Sequence, residues 1–169
     1  LHVLIEEETI MEKVKEIGKK ISNDYQNLNP VVIGVLSGSF MFLSDLLKKV
    51  DIPVEVDFVS VSSYDGEASR GEIKLLGDIK SVIKDRDIII VEDIIDSGQT
   101  IKFLVDHFSE RNPRSIAVCS LLNKQDDRKV DVHITYLGFN IPSVFVVGYG
   151  LDKSNNYRNL NYIGVVDGK

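Results

Sequence analysis

The sequence predicts an α/β fold, a mainly parallel twisted core sheet flanked by helices. Two observations carry this. Short and wholly apolar runs, VVIGVL at 31–36 and IIIV at 88–91, read as strands buried on both faces, the habit of parallel sheets. Between them, apolar residues recur at the three- and four-residue spacing of amphipathic helices. The length of 169 residues, 43% hydrophobic and 27% charged, suits one globular domain. A chain this long buries roughly 70% of its unfolded surface and needs no covalent staples. One cysteine, Cys119, excludes a disulfide framework and a Cys-based zinc cluster, and its apolar strand context makes it a small buried hydrophobe.

Taken in order, Ile10, Val14, Ile17 and Ile21 predict a helix over about 8–25, and 31–36 is the first core strand. A second helix starts near Ser39, with Phe40, Leu43, Leu47 and Val50 on one face. Residues 54–60 alternate as a half-exposed strand, and the polar, glycine-punctuated stretch 62–71 reads as a mobile loop. After the 88–91 strand, Ile101, Leu104, Val105 and Phe108 mark a third helix. Further strands are expected at 116–122, 132–137 and 144–147, with one more possible at 162–166.

Charge narrows the function classes. A net charge of −6 without a basic cluster speaks against binding nucleic acid, because counterion release needs clustered Lys and Arg. It leaves room for one small phosphorylated ligand. The longest apolar runs, six or seven residues, are far short of a membrane span, and the opening LHVLI meets three glutamates at once, unlike a signal peptide. A soluble cytoplasmic protein is expected. His2, His107 and His133 show no metal-ligand spacing, and Asp126–Lys129 reads as a solvated turn.

The chemistry is concentrated in IIIVEDIIDSGQT at 88–100, a buried strand, two carboxylates, then a small polar loop before a helix. Ligands of open α/β sheets sit outside the carboxyl ends of the strands. There the N–H groups of Ser97, Gly98, Gln99 and Thr100, with the helix N-terminus, suit a phosphate. Glu92 and Asp93 would repel a bare phosphate, so they make sense facing sugar hydroxyls or a divalent cation. A sugar phosphate satisfies both halves, with Asp96 nearby as a candidate base. The plain alternative is an acidic turn with an N-capping Asp or Ser. No Walker A or GxGxxG pattern occurs.

VEDIIDSGQT resembles the phosphoribosyl-diphosphate signature of type I phosphoribosyltransferases. VLSGSF (35–40), SSY (62–64), SLLNK (120–124) and FVVGYGLD…YR (145–158) follow the hypoxanthine-guanine members of that family in order, over nearly the whole chain. The resemblance implies the type I phosphoribosyltransferase fold as a single domain, 1–169, with a small hood of N- and C-terminal segments. It implies transfer of 5-phosphoribosyl from its diphosphate to N9 of hypoxanthine or guanine, with Mg2+, in a homodimer or homotetramer. Two other classes are weighed against it: a relative that regulates by binding nucleic acid, and a magnesium-dependent nucleotide hydrolase.

By the same resemblance, Leu36, Ser37 and Gly38 bind pyrophosphate through main-chain groups, and the Leu36–Ser37 peptide is cis. Many members carry Lys or Arg where this chain has Ser37, so nothing is implied for that side chain. Ser63 and Tyr64 belong to a lid that excludes water. Asp96 is the general base toward purine N7, and residues 96–100 hold the ribose phosphate. Glu92 and Asp93 face the ribose hydroxyls directly or through magnesium. Lys124 contacts the purine 6-oxo group, Phe145 stacks on the ring, and Val146 meets its edge. Asp152 is a magnesium-associated carboxylate near the purine, and Arg158 contacts pyrophosphate, for which its fork of donors is suited. Residue by residue the plainer readings are a helix N-cap at 37–39, a surface loop at 62–71, a solvated lysine at 124, and a core aromatic at 145.

Overall fold

The structure, a computed structural model, describes residues 1–64 and 72–168. Its centre is built from the β-branched runs. Strands β1 (His2–Ile5), β2 (Val31–Leu36), β3 (Glu55–Tyr64), β4 (Glu72–Gly77), β5 (Asp87–Ile95), β6 (Ser115–Asn123), β7 (Tyr136–Asn140), β8 (Val146–Val147) and β9 (Ile163–Val165) alternate with helices α1 (Glu7–Asp24), α2 (Phe40–Leu47) and α3 (Gln99–Ser109). Six strands form the core sheet in the order β4-β3-β2-β5-β6-β7. All its pairs are parallel except β3 with β4.

Strand alternation divides the core into two layers. Val32, Ile89, Val91, Ala117, Cys119 and Leu121 pack beneath α1 and α2, where Ile10, Val14, Ile17 and Ile21 supply the helical stripe. Val31, Ile33, Ile88, Ile90 and Val118 face the other way, onto Ile101, Leu104 and Phe108 of α3. Each such side chain contributes roughly 1.5–3 kcal/mol by leaving water. A second, antiparallel sheet, β1-β9-β8, joins segments from the two ends of the chain into the hood.

Several elements differ from the sequence pattern. In α2 the buried face is Phe42, Leu43 and Leu46, while Phe40 in the first turn is 44% exposed. Strand β3 runs on to Tyr64, so Ser62, Ser63 and Tyr64 pair with Lys74, Ile73 and Glu72 of β4 instead of opening a loop. The rest of that loop, 65–71, lies outside the described residues. Neither β1 nor β4 is evident from periodicity, since β1 is completed only by β9 and β4 is a largely exposed hairpin arm. The 132–137 strand shifts to Tyr136–Asn140, because Val132 and Ile134 pack toward α3 before pairing with β6 begins at Tyr136. The 144–147 strand shrinks to Val146–Val147 and joins the hood. None of the described helices is long and apolar enough to cross a membrane.

Candidate active site

The chain moves outward from β2 to β3 on one side and from β5 to β6 and β7 on the other, so β2 and β5 flank the topological switch point, where open α/β sheets bind ligands. Their pairing stops at Gly34 and Val91. Beyond it β2 ends at Leu36, the Leu36–Ser37 peptide is cis, and the chain turns into α2. Strand β5 continues to Ile95 with only β6 beside it. The gap is a cleft of about 680 Å³ lined by Leu36, Gly38, Glu92, Asp93 and residues 96–100. Ser37 is exposed.

Glu92 and Asp93 both reach the cleft although the strand has not ended, because the departing β2 leaves that side of β5 open. A Cβ on Gly38 would lie 1.8 Å from Asp93 Oδ2, so a glycine there is what admits the carboxylate. Burial, then the neighbouring Asp93 charge, raises Glu92 well above the ordinary carboxylate range. Burial also raises Asp93, offset by its hydrogen bond with Glu92 and by the Arg158 charge. Burial thus disfavours ionisation of both, Glu92 the more strongly.

The 96–100 loop is held from behind. Gly98 takes φ +85° as the residue before α3, and a Cβ there would meet Val132 Cγ2 at 2.7 Å and Val130 O at 3.0 Å. The Ser97 carbonyl accepts the N–H groups of Lys129 (2.9 Å) and Val130 (3.1 Å), and the Asp96 carbonyl accepts Arg128 Nε at 3.1 Å. Arg128 also grips the Asn123 side chain, which bonds Asn140 at 2.8 Å. The Asp96 and Ser97 carbonyls are thus taken up by residues 128–130, while the first N–H groups of α3 lack helical partners by geometry. The supposed solvated turn is therefore the loop's support, although Asp126 remains exposed.

Lys124, 9% exposed, donates its backbone N–H to Ile95 O at 2.9 Å. Its Nζ stands 3.5 Å from Asp96 Oδ1, beside the cleft wall. Phe145 is 54% exposed and not a core residue, because it stands just before the two-residue strand β8 at the edge of the hood sheet; Val146 beside it is buried. Asp152 accepts the Asn155 N–H at 2.7 Å and pairs with Arg158 at 3.2 Å. Arg158 donates to Gly150 O at 2.6 Å. Gly150, at φ +97°, backs onto Gly38 O, 2.4 Å from where a Cβ would sit. Tyr149 OH donates to Asp45 of α2 at 2.6 Å, so the 148–158 loop is docked on the 36–39 turn. Ser63 and Tyr64 are on β3, with Ile73 of the paired β4 lining the cleft.

Sequence reasoning missed Tyr149, Gly150, Arg128 and Lys129. Gly-Tyr-Gly at 148–150 signals left-handed backbone, whereas nothing local in QDDRKVD at 125–131 tells that Arg128 and Lys129 return to the 96–100 loop. Among the described residues no three Asp, Glu, His or Cys side chains gather to hold a metal. Glu92 and Asp93 offer hard oxygen donors as a pair, while Asp152 is engaged by Arg158. That set fits an ion such as magnesium, which takes one or two carboxylates and completes its shell with waters and phosphate oxygens.

Comparison with known proteins agrees with this geometry. The family described as phosphoribosyl transferase domain matches residues 4–154. A hypoxanthine-guanine phosphoribosyltransferase of Bacillus subtilis is 48% identical over 97% of this chain and 92% of its own length. The bifunctional TilS/HprT protein of Listeria monocytogenes is 46% identical over 97% of the chain, which spans only 26% of that longer protein. Among solved structures, a Bacillus anthracis hypoxanthine-guanine phosphoribosyltransferase with HEPES in its active site superposes with TM-score 0.94 at 46% identity, covering 98% of both chains. A crevice at the switch point lined by the loop after β5 and similarity over nearly the whole chain agree: the chain belongs to the hypoxanthine-guanine phosphoribosyltransferase family.

Proposed function

We infer that residues 1–169, acting as one phosphoribosyltransferase domain, transfer 5-phosphoribosyl from phosphoribosyl diphosphate to N9 of hypoxanthine or guanine. The products are IMP or GMP and pyrophosphate. One juxtaposition carries this reading: a loop whose Asp96 and Ser97 carbonyls are taken up by residues 128–130, and whose first helical N–H groups lack helical partners, sits beside the Glu92–Asp93 pair in the same crevice. A phosphate needs the first and ribose hydroxyls the second.

In the reaction the bond from C1′ to the diphosphate oxygen breaks as N9 bonds to C1′, and the purine loses a proton. Asp96, half exposed at the cleft mouth, accepts that proton at N7. Lys124, on the other side of the same carboxylate, donates toward the purine 6-oxo oxygen as charge develops there, which favours 6-oxopurines. Phe145 offers an exposed aromatic face for stacking, and Val146 main-chain groups meet the purine edge. Residues 96–100 orient the 5-phosphate, while the 36–38 turn and Arg158, docked together through Gly150, hold the leaving group. Glu92 and Asp93 orient the ribose hydroxyls and are the residues that would hold magnesium, while Asp152, paired with Arg158, positions that arginine instead of joining them. When bound, that ion supplies charge neutralisation for pyrophosphate. Ser63 and Tyr64, at the end of β3, belong to the lid that keeps water from the reacting sugar. Self-association as a dimer or tetramer and a cytoplasmic location rest on the family resemblance.

The test is an ultraviolet assay with donor and magnesium, supplying hypoxanthine, guanine, xanthine and adenine separately. Nucleotide from a 6-oxopurine, abolished by chelation, is the expected result; no product from any of the four overturns the reading. Asp96→Asn should lower kcat by roughly 100-fold, far more than it changes donor KM.

A further inference from the structure

Lys129 lines the phosphate end of the cleft, next to residues 96–100. Its backbone is pinned there by the N–H bond to Ser97 O at 2.9 Å, while its side chain is exposed. The cleft wall carries three carboxylates, Glu92, Asp93 and Asp96, and Lys129 is its one basic residue among those described. A phosphate monoester brings close to two further negative charges at neutral pH. The loop answers with neutral N–H and hydroxyl donors only.

The neighbouring cations are committed elsewhere. Lys124 stands beside Asp96, Arg158 is bound to Asp152 and Gly150 O, and Arg128 to Asp96 O and Asn123. Lys129 has no ion-pair partner among the described residues.

We propose that Lys129 is a phosphate-binding residue, whose ammonium neutralises the 5-phosphate of the ribose ligand at the mouth of the 96–100 loop. This rests on the phosphoribosyl-transfer reading and adds the cation that the loop lacks. Because the side chain is exposed, its contribution is moderate and salt-sensitive.

The test is calorimetric binding of ribose 5-phosphate, with ribose as control, to wild type, Lys129→Ala and Lys129→Arg, alongside steady-state kinetics of all three. The alanine variant should bind ribose 5-phosphate roughly 5- to 20-fold more weakly, with the gap narrowing as salt rises. Arginine should retain most of the affinity. Donor KM should rise far more than hypoxanthine KM. Equal affinity of wild type and Lys129→Ala overturns the proposal, as does wild type that fails to bind ribose 5-phosphate. A loss shared equally by both variants and by hypoxanthine KM also overturns it, since that is damage to the loop and not to a charge. Wild type that binds ribose 5-phosphate but makes no nucleotide overturns the transferase reading instead, and the binding comparison still decides for Lys129.

Discussion

Two carboxyl groups adjacent in sequence, Glu92 and Asp93, share one corner of the cleft, and burial raises both, Glu92 the more strongly. The folded state binds the Glu92 proton more tightly than the unfolded chain, whose carboxyl titrates near 4.5. Its favourable share of stability is therefore complete below pH 4.5 and is lost as pH rises through the folded value. Glu92→Gln should raise the thermal midpoint at pH 8 by about 2–4 °C, the scale of 1 kcal/mol in a domain of this size, and leave it unchanged at the acid end. Calorimetry across pH checks this; a benefit that grows on acidification would contradict the raised pKa. The same variant should bind ribose ligands less well, so this corner trades stability for function. Glu92, Asp93 and Asp96 were legible as a group because an apolar strand runs straight into them. The exposure of Phe145 was not, because FVV looks like any core strand until its partner, nearly twenty residues on, is known.

At the scale of elements, the turn between β5 and α3 and its support from 128–132 form one unit. Gly98→Ala places a side chain at φ +85° against Val132 and Arg128, and should cost about 1–3 kcal/mol in chemical denaturation. The loss of donor affinity should exceed that of Ala substitution at exposed Gln125, across the same segment. The helices were readable because one-sided burial imposes a period of 3.6, and the central strands because burial on both faces makes them short continuous apolar runs. The support was not. Val130, Val132 and Ile134 alternate as a strand would, yet that alternation serves packing toward α3, and the ladder with β6 begins only at Tyr136. Local pattern reports which side is apolar, not which neighbour makes it so.

For the whole molecule, the cleft lies where the core sheet opens and the 148–158 loop, between hood strands β8 and β9, closes against it. A ligand that touches both joins them. Phosphoribosyl diphosphate with magnesium, at about 100 times its Kd, should add roughly 2.7 kcal/mol and raise the melting temperature by about 5–10 °C, an effect that chelation should largely remove. A thermal shift assay reads both.

The hood pairing also sets an order of events during synthesis. Ile5 meets Ile163, so β1 leaves the ribosome about 160 residues ahead of its partner. At roughly 5–20 residues per second it waits on the order of 10–30 s, while β2, β3, β5 and β6 already have all they need to pair. The half of the cleft built from the core sheet, proposed above for the phosphate, can thus take shape early, and the half proposed for the purine is fastened only when β9 emerges.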